Sequence, residues 1–171
     1  MGGRGSSSSL LGGLNKTLLK LENGRVGLKY EMVSIVNQQG KILKTLIGNE
    51  TSVDVMKHKE IFDGNVLTHN HPADYNIMSE NDVWVLGNSK LKEMRASDNN
   101  YTYSLKKSES RFNNRFFENY RDAWNKSWNK AVKDKSKNNS IDTMQRAVEY
   151  QHRWVQRNAK KHGYIYKRIK R

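Results

Sequence analysis

The chain has 171 residues, no cysteine and a formal net charge of +14, which bounds it to one domain or one small domain with an appendage. Hydrophobic residues make up 35% and the mean hydropathy is −0.93, lean values for a packed globule, so part of the chain is expected to be extended or solvated. Disulfide staples and thiolate metal sites are excluded, and neither a membrane helix nor the apolar core of a signal peptide within residues 1–16 is present, which predicts a soluble protein made in a cytoplasm.

Residues 1–13 are rich in Gly and Ser and read as flexible. Leu14 to Leu21 reads as a short helix closed by Asn23-Gly24, which makes residues 1–24 an N-terminal lead. Two strand-like runs follow, 29–36 and 41–47, joined by a turn at Gln38-Gln39-Gly40. Ser52 to Phe62 reads as a short helix ending at Asp63-Gly64, and Asn65-Val66-Leu67-Thr68 as a β-prone run. Ser79 to Leu86 is a helix ending at Gly87-Asn88. Leu91 to Ala96 and Tyr101 to Leu105, separated by Ser97-Asp98-Asn99-Asn100, form a second hairpin. This order, β-β-α-β-α-β-β, predicts an α+β core over residues 25–107 with a small mixed sheet.

The core carries its most informative residues between Thr68 and Asp82. They spell His69-x-His71, seven residues, Ser79, two residues, Asp82. If the run before His69 is a strand, its period of two puts the His69 and His71 side chains on one face, where they can converge on one ion. Asp82 then comes from the first turn of the next helix. Two imidazoles, a carboxylate and a water make the open tetrahedral arrangement of a hydrolytic zinc site. The absence of a Cys-x-x-Cys pair excludes the cytidine-deaminase kind of zinc site. Ser79-x-x-Asp82 is also a capping box, with Ser79 as N-cap, and the two readings are compatible because a cap fixes where the carboxylate points. Although His69-Asn70-His71 spells the name of the HNH nucleases, their three residues come from a dispersed ββα motif that adjacent letters do not reproduce.

The stretch Thr68 to Asp82 resembles the signature of the JAMM (JAB1/MPN/Mov34) metalloprotease fold, His-x-His-Pro followed by Ser-x-x-Asp. The resemblance implies zinc held by His69, His71 and Asp82, an oxyanion-stabilising serine at Ser79, and an upstream glutamate as general base. Family members have that glutamate at the start of a hairpin, which points to Glu31, opening the run Glu31-Met32-Val33-Ser34-Ile35-Val36. Glu22, Glu50 and Glu60 fit less well, and a solvent-facing charge at a strand edge is the plain alternative for Glu31. The chain departs from the family after Pro72, where Ala73-Asp74-Tyr75-Asn76 replaces the usual small pair, and its core is short. The opening Met1-Gly2-Gly3-Arg4-Gly5-Ser6 and the run Thr68 to Pro72 are similar to small JAMM-like proteins encoded beside phage portal and head genes.

From Glu109 the texture changes. Residues 1–108 hold 14 Lys+Arg against 11 Asp+Glu, whereas residues 109–171 hold 17 against 6. Phe112, Phe116, Tyr120, Trp124, Trp128 and Val132 recur every four residues, widened by Phe117, Ala123 and Ala131. A second stripe runs through Ile141, Met144, Val148, Gln151 and Val155, with Ser140 as N-cap and His162-Gly163 as C-terminus. Residues 108–171 are therefore predicted to be a basic helical hairpin. Its aromatics are either core residues or stacking platforms for unpaired bases. His152 and His162 read as surface residues.

The cations expected to contact phosphates are Arg111, Arg115, Arg121, Lys126, Lys130, Lys133, Arg146, Arg153, Arg157, Lys160, Lys161, Lys167 and Arg168. With no helix-turn-helix or zinc-finger layout, backbone contact without strong sequence preference is expected, to DNA rather than RNA. The reading for the whole chain is a phage head-associated protein, minor capsid or ejected, that binds nucleic acid and carries a JAMM-like zinc site. Portal or capsid proteins are its expected partners, no membrane is involved, and it would act in the virion interior and host cytoplasm. The alternative is an active zinc-dependent peptidase or isopeptidase.

Overall fold

Short strands buried on both faces build the centre of this protein, a mixed sheet of six strands flanked by helices. The computed structural model describes residues 7–50, 52–74, 76–108, 113, 115–135 and 142–171. Helix α1 (Ser7–Asn23) leads into the hairpin of β1 (Met32–Val36) and β2 (Ile42–Ile47); a 3-10 segment (Met56–Ile61) precedes β3 (Val66–Asn70). Then come α2 (Glu80–Gly87), the hairpin of β4 (Glu93–Ser97) and β5 (Tyr101–Lys107), the long helices α3 (Arg115–Lys135) and α4 (Thr143–Asn158), and β6 (Tyr164–Lys170). The α+β expectation holds. The sheet order is β2-β1-β3-β4-β5-β6, and only β3 and β4, joined through α2, run parallel.

The pleat sorts side chains to two faces. Val33, Ile35, Leu67, Met94, Ala96, Tyr103 and Leu105 point into the main core, which α2, α3 and α4 close with Val83, Leu86, Phe116, Tyr120, Val148 and Val155. On the other face Leu14 and Leu18 of α1 pack on Val36 and Val66. Beside them the buried carboxylate of Glu22 is met by Arg95 at 2.6 Å, and Arg95 also meets Glu93 at 3.1 Å. Arg25 donates to the Thr68 carbonyl at 2.9 Å. Glu22, weighed above as a possible base, thus belongs to a buried ion network and not to the cleft.

The structure differs from the sequence reading at four places. Helix α1 starts at Ser7, not Leu14, and at Gly13 its backbone packs against the β1–β2 turn. A Cβ at Gly40, which has φ +84°, would lie 2.7 Å from the Gly13 backbone. The segment expected as a helix from Ser52 is 3-10 over Met56–Ile61 and kinked at His58 (φ −120°, ψ 24°). The N-cap residue of α4 is Asp142, whereas Ser140 and Ile141 lie outside the described residues, as do Phe112 and the candidate Arg111. Finally, Tyr164 to Lys170 forms β6, an antiparallel partner of β5 that was not anticipated.

The aromatic stripe divides between core and surface. Phe116 is fully buried, 4.9 Å from the Tyr164 ring and stacked on Trp154 at 5.7 Å. The Tyr120 hydroxyl donates to the Met78 carbonyl, tying α3 to the residue before Ser79. Trp128 and Val132 are exposed at 39% and 49% while Ala123 and Ala131 stay buried, so the four-residue repeat drifts off the buried face, which follows the 3.6-residue turn of the helix. Among the described residues no helix is long and apolar enough to cross a membrane.

Candidate metal centre and its cleft

Two local features aim three ligand atoms at one point. His69 is the fourth residue of β3 and His71 follows its end, where the backbone N–H of His71 donates to the Ser97 carbonyl at 2.7 Å. The turn there brings the two Nε2 atoms within 3.0 Å. Asp82 is the N3 residue of α2. Ser79 caps that helix through its Oγ, which accepts from the Asp82 N–H at 3.1 Å, while Asp82 Oδ2 accepts from the Ser79 N–H at 2.7 Å. The capping box and the site are one structure, as expected: held this way, Asp82 places Oδ1 3.2 Å from His69 Nε2 and Oδ2 3.5 Å from His71 Nε2.

The group of His69, His71 and Asp82 can hold a metal ion. Donor atoms on a tetrahedral ion with bonds of about 2.0–2.1 Å stand about 3.3 Å apart, and the three separations here, 3.0, 3.2 and 3.5 Å, bracket that edge. The tautomer of His71 suits ligation as well. Its Nδ1 lies 2.9 Å from the Asn76 carbonyl, which can only accept, so the proton is on Nδ1 and the Nε2 lone pair faces the site.

Both histidines are buried and Asp82 is only 14% exposed, which makes the charges strongly interdependent. Burial opposes ionisation of Asp82, but the neighbouring His69, through charge and hydrogen bond, and His71 outweigh it and hold the carboxyl well below its ordinary value. For His71, burial works against the proton, and the hydrogen bond and charge of Asp82 more than offset it, so its pKa is raised.

These residues open into a cleft of about 840 Å³. Glu31, half-buried just before β1, lines it together with Ser79, and Lys29, Glu50 and Asn81 also border it. Burial lifts the Glu31 carboxyl above its ordinary value; the charges of His69 and His71 oppose that rise and Asp82 adds to it. Glu31 thus shares the cleft with all three candidate ligands. Ser79 Oγ donates to Asp82 Oδ2 at 2.8 Å. The cleft wall is aliphatic, with Val33, Val53, Val55, Leu67, Val85 and Met94. Asn76, which orients His71, gave no sequence signal, because a backbone carbonyl contact has no residue signature.

The basic candidates lie elsewhere. Arg115, Arg121, Lys126, Lys130, Lys133, Arg153, Arg157, Lys160, Lys161 and Lys167 are exposed, while Arg146 and Arg168 are half-buried. Arg168 is engaged by Glu149 and stacks 4.6 Å over the Tyr101 ring; Lys130 pairs with Asp134 at 2.6 Å. His152 and His162, expected at the surface, are half-buried. His152 Nδ1 is 2.9 Å from the Tyr166 hydroxyl. Comparisons of the chain with family models, with curated proteins and with solved structures find no match.

Proposed function

We propose that the chain is a zinc-dependent hydrolase of the JAMM type that cuts a peptide or isopeptide bond. The observation that carries this reading is Glu31 lining the same cleft as His69, His71 and Asp82, with Ser79 beside them. His69, His71 and Asp82 would hold a zinc ion, which when bound would supply Lewis-acid chemistry to a carbonyl and to water. Glu31 takes the proton of the attacking water and passes it to the leaving amine. The Ser79 hydroxyl turns its hydrogen from Asp82 towards the oxygen that gains charge. The aliphatic wall suits an apolar substrate side chain next to the scissile bond. The resemblance of the run Thr68 to Pro72 to small JAMM-like proteins encoded beside phage portal and head genes suggests a substrate among head proteins. Stripping the purified chain with a chelator should abolish cleavage of a panel of peptide and isopeptide amides, and one equivalent of zinc should restore it. Activity that survives complete metal removal would reject the reading.

A second role, binding nucleic acid, is favoured by the exposure of ten cations on α3, α4 and the residues that follow them. Binding through about six phosphates would weaken by roughly 10³-fold between about 50 and 200 mM salt. Fluorescence anisotropy with unrelated DNA duplexes checks this; a salt-insensitive affinity, or none at low salt, would count against it.

A further inference from the structure

The backbone pairing of β1 with β3 ends at Val33↔His69. Beyond that step β3 turns away towards β4, with the His71 N–H donating to the Ser97 carbonyl, so the chain just before Val33 loses its neighbour on this side. The gap falls at residues 30–32, where Glu31 is carried. The side chain of Asn70 fills it. Its Oδ1 accepts from the Met32 N–H at 2.8 Å and its Nδ2 donates to the Tyr30 carbonyl at 2.9 Å. The reversed amide orientation would set like against like at both contacts, so the network fixes which end is which. On the opposite edge, the Glu31 N–H donates to the Asn49 carbonyl at 2.8 Å and the Gly48 N–H donates to the Glu31 carbonyl at 2.9 Å. Residues 30–32 are thus held from both sides, once by backbone and once by a single side chain.

We propose that Asn70 is a positioning residue: its carboxamide continues the β1–β3 ladder for one more step and so fixes Glu31 relative to the flanking ligands His69 and His71. The inference rests on Glu31 being the general base. Asn70 is 3% exposed and lies between the two ligands in sequence, so one three-residue segment supplies two metal ligands and the brace for the base. No other kind of side chain of this length offers a donor and an acceptor on one planar arm.

The experiment uses the full chain with Asn70→Ala and the isosteric Asn70→Asp, which keeps the acceptor for Met32 and loses the donor for Tyr30. Zinc affinity is measured by titration, and the Glu31 side-chain carboxyl is followed by carbon NMR as zinc is added. In the unaltered chain zinc should move the Glu31 signal. In both variants zinc affinity should stay, that response should be lost, exchange of the Met32 amide should quicken in Asn70→Ala, and kcat should fall about 10²-fold with KM little changed. Should Asn70→Ala fail to fold by its melting curve, Asn70→Asp decides alone. An unchanged Glu31 response and unchanged kcat in a folded variant overturn the proposal, as does a Glu31 signal indifferent to zinc in the unaltered chain. Absence of hydrolysis in the unaltered chain, with the Glu31 response present there and lost in the variants, would instead remove the assignment of the base and leave the brace standing.

Discussion

Glu31→Gln should lower amide hydrolysis by about 10²–10⁴-fold, the usual contribution of a positioned general base, while zinc stays bound. Glutamine keeps the size of the side chain and one acceptor oxygen, so the cleft and its ligands should be undisturbed. What disappears is the ability to take a proton. The group of His69, His71 and Asp82 forms without Glu31, whose carboxylate borders the cleft as a neighbour. Steady-state rates beside metal analysis of the same preparation separate the possibilities. A variant that retains its rate would dismiss Glu31 as the base, and one that loses zinc together with activity would make it a ligand.

The double change His69→Ala, His71→Ala should eliminate metal binding, taking it from about one zinc per chain to none, because a single carboxylate is left where three donors converged. Stability supplies an independent readout. A ligand that binds only the folded state stabilises it by about 4 kcal/mol at 1,000 times its Kd. For a chain of this size each kcal/mol moves Tm by about 2–4 °C. The unaltered protein should therefore melt well above its zinc-free form, and the double variant should melt at one temperature with or without zinc. A zinc-dependent rise in its Tm would mean that the ion is held somewhere else.

What could be read from the residues alone follows the range of the interactions. His69 and His71 are two residues apart, and Ser79 and Asp82 three, so strand pleat and helix cap, both local rules, were enough to expect their directions. That the two pairs meet is a tertiary fact which spacing does not contain. Only the likeness of the whole pattern to a known metal-site signature implies it. Glu31 is 38 residues before His69 in sequence and reaches the cleft only because β1 pairs with β3, which is why it was chosen by resemblance and not by spacing. Gly12-Gly13 reads as part of a flexible lead because glycine disfavours helix, yet the helix backbone at Gly13 approaches the β1–β2 turn so closely that Gly40 has no room for a side chain. In β6 the inward Tyr164 and Tyr166 alternate with the outward Ile165, Lys167 and Ile169. Three cations in its last four positions, Lys167, Arg168 and Lys170, together with Arg171 give that alternation the look of a basic tail.

Because β6 pairs with β5, the helices α3 and α4 are inserted between two neighbouring strands and anchored at both ends. Tyr120 adds a third anchor at Met78, next to the cap of α2. A domain joined by one linker would sample many orientations, whereas this hairpin has few rotational degrees of freedom relative to the cleft. Its basic surface is a ruler of fixed length. Any polyanion held there, and any protein travelling with it, would meet the cleft at a local concentration set by rigid geometry and not by the statistics of a tether.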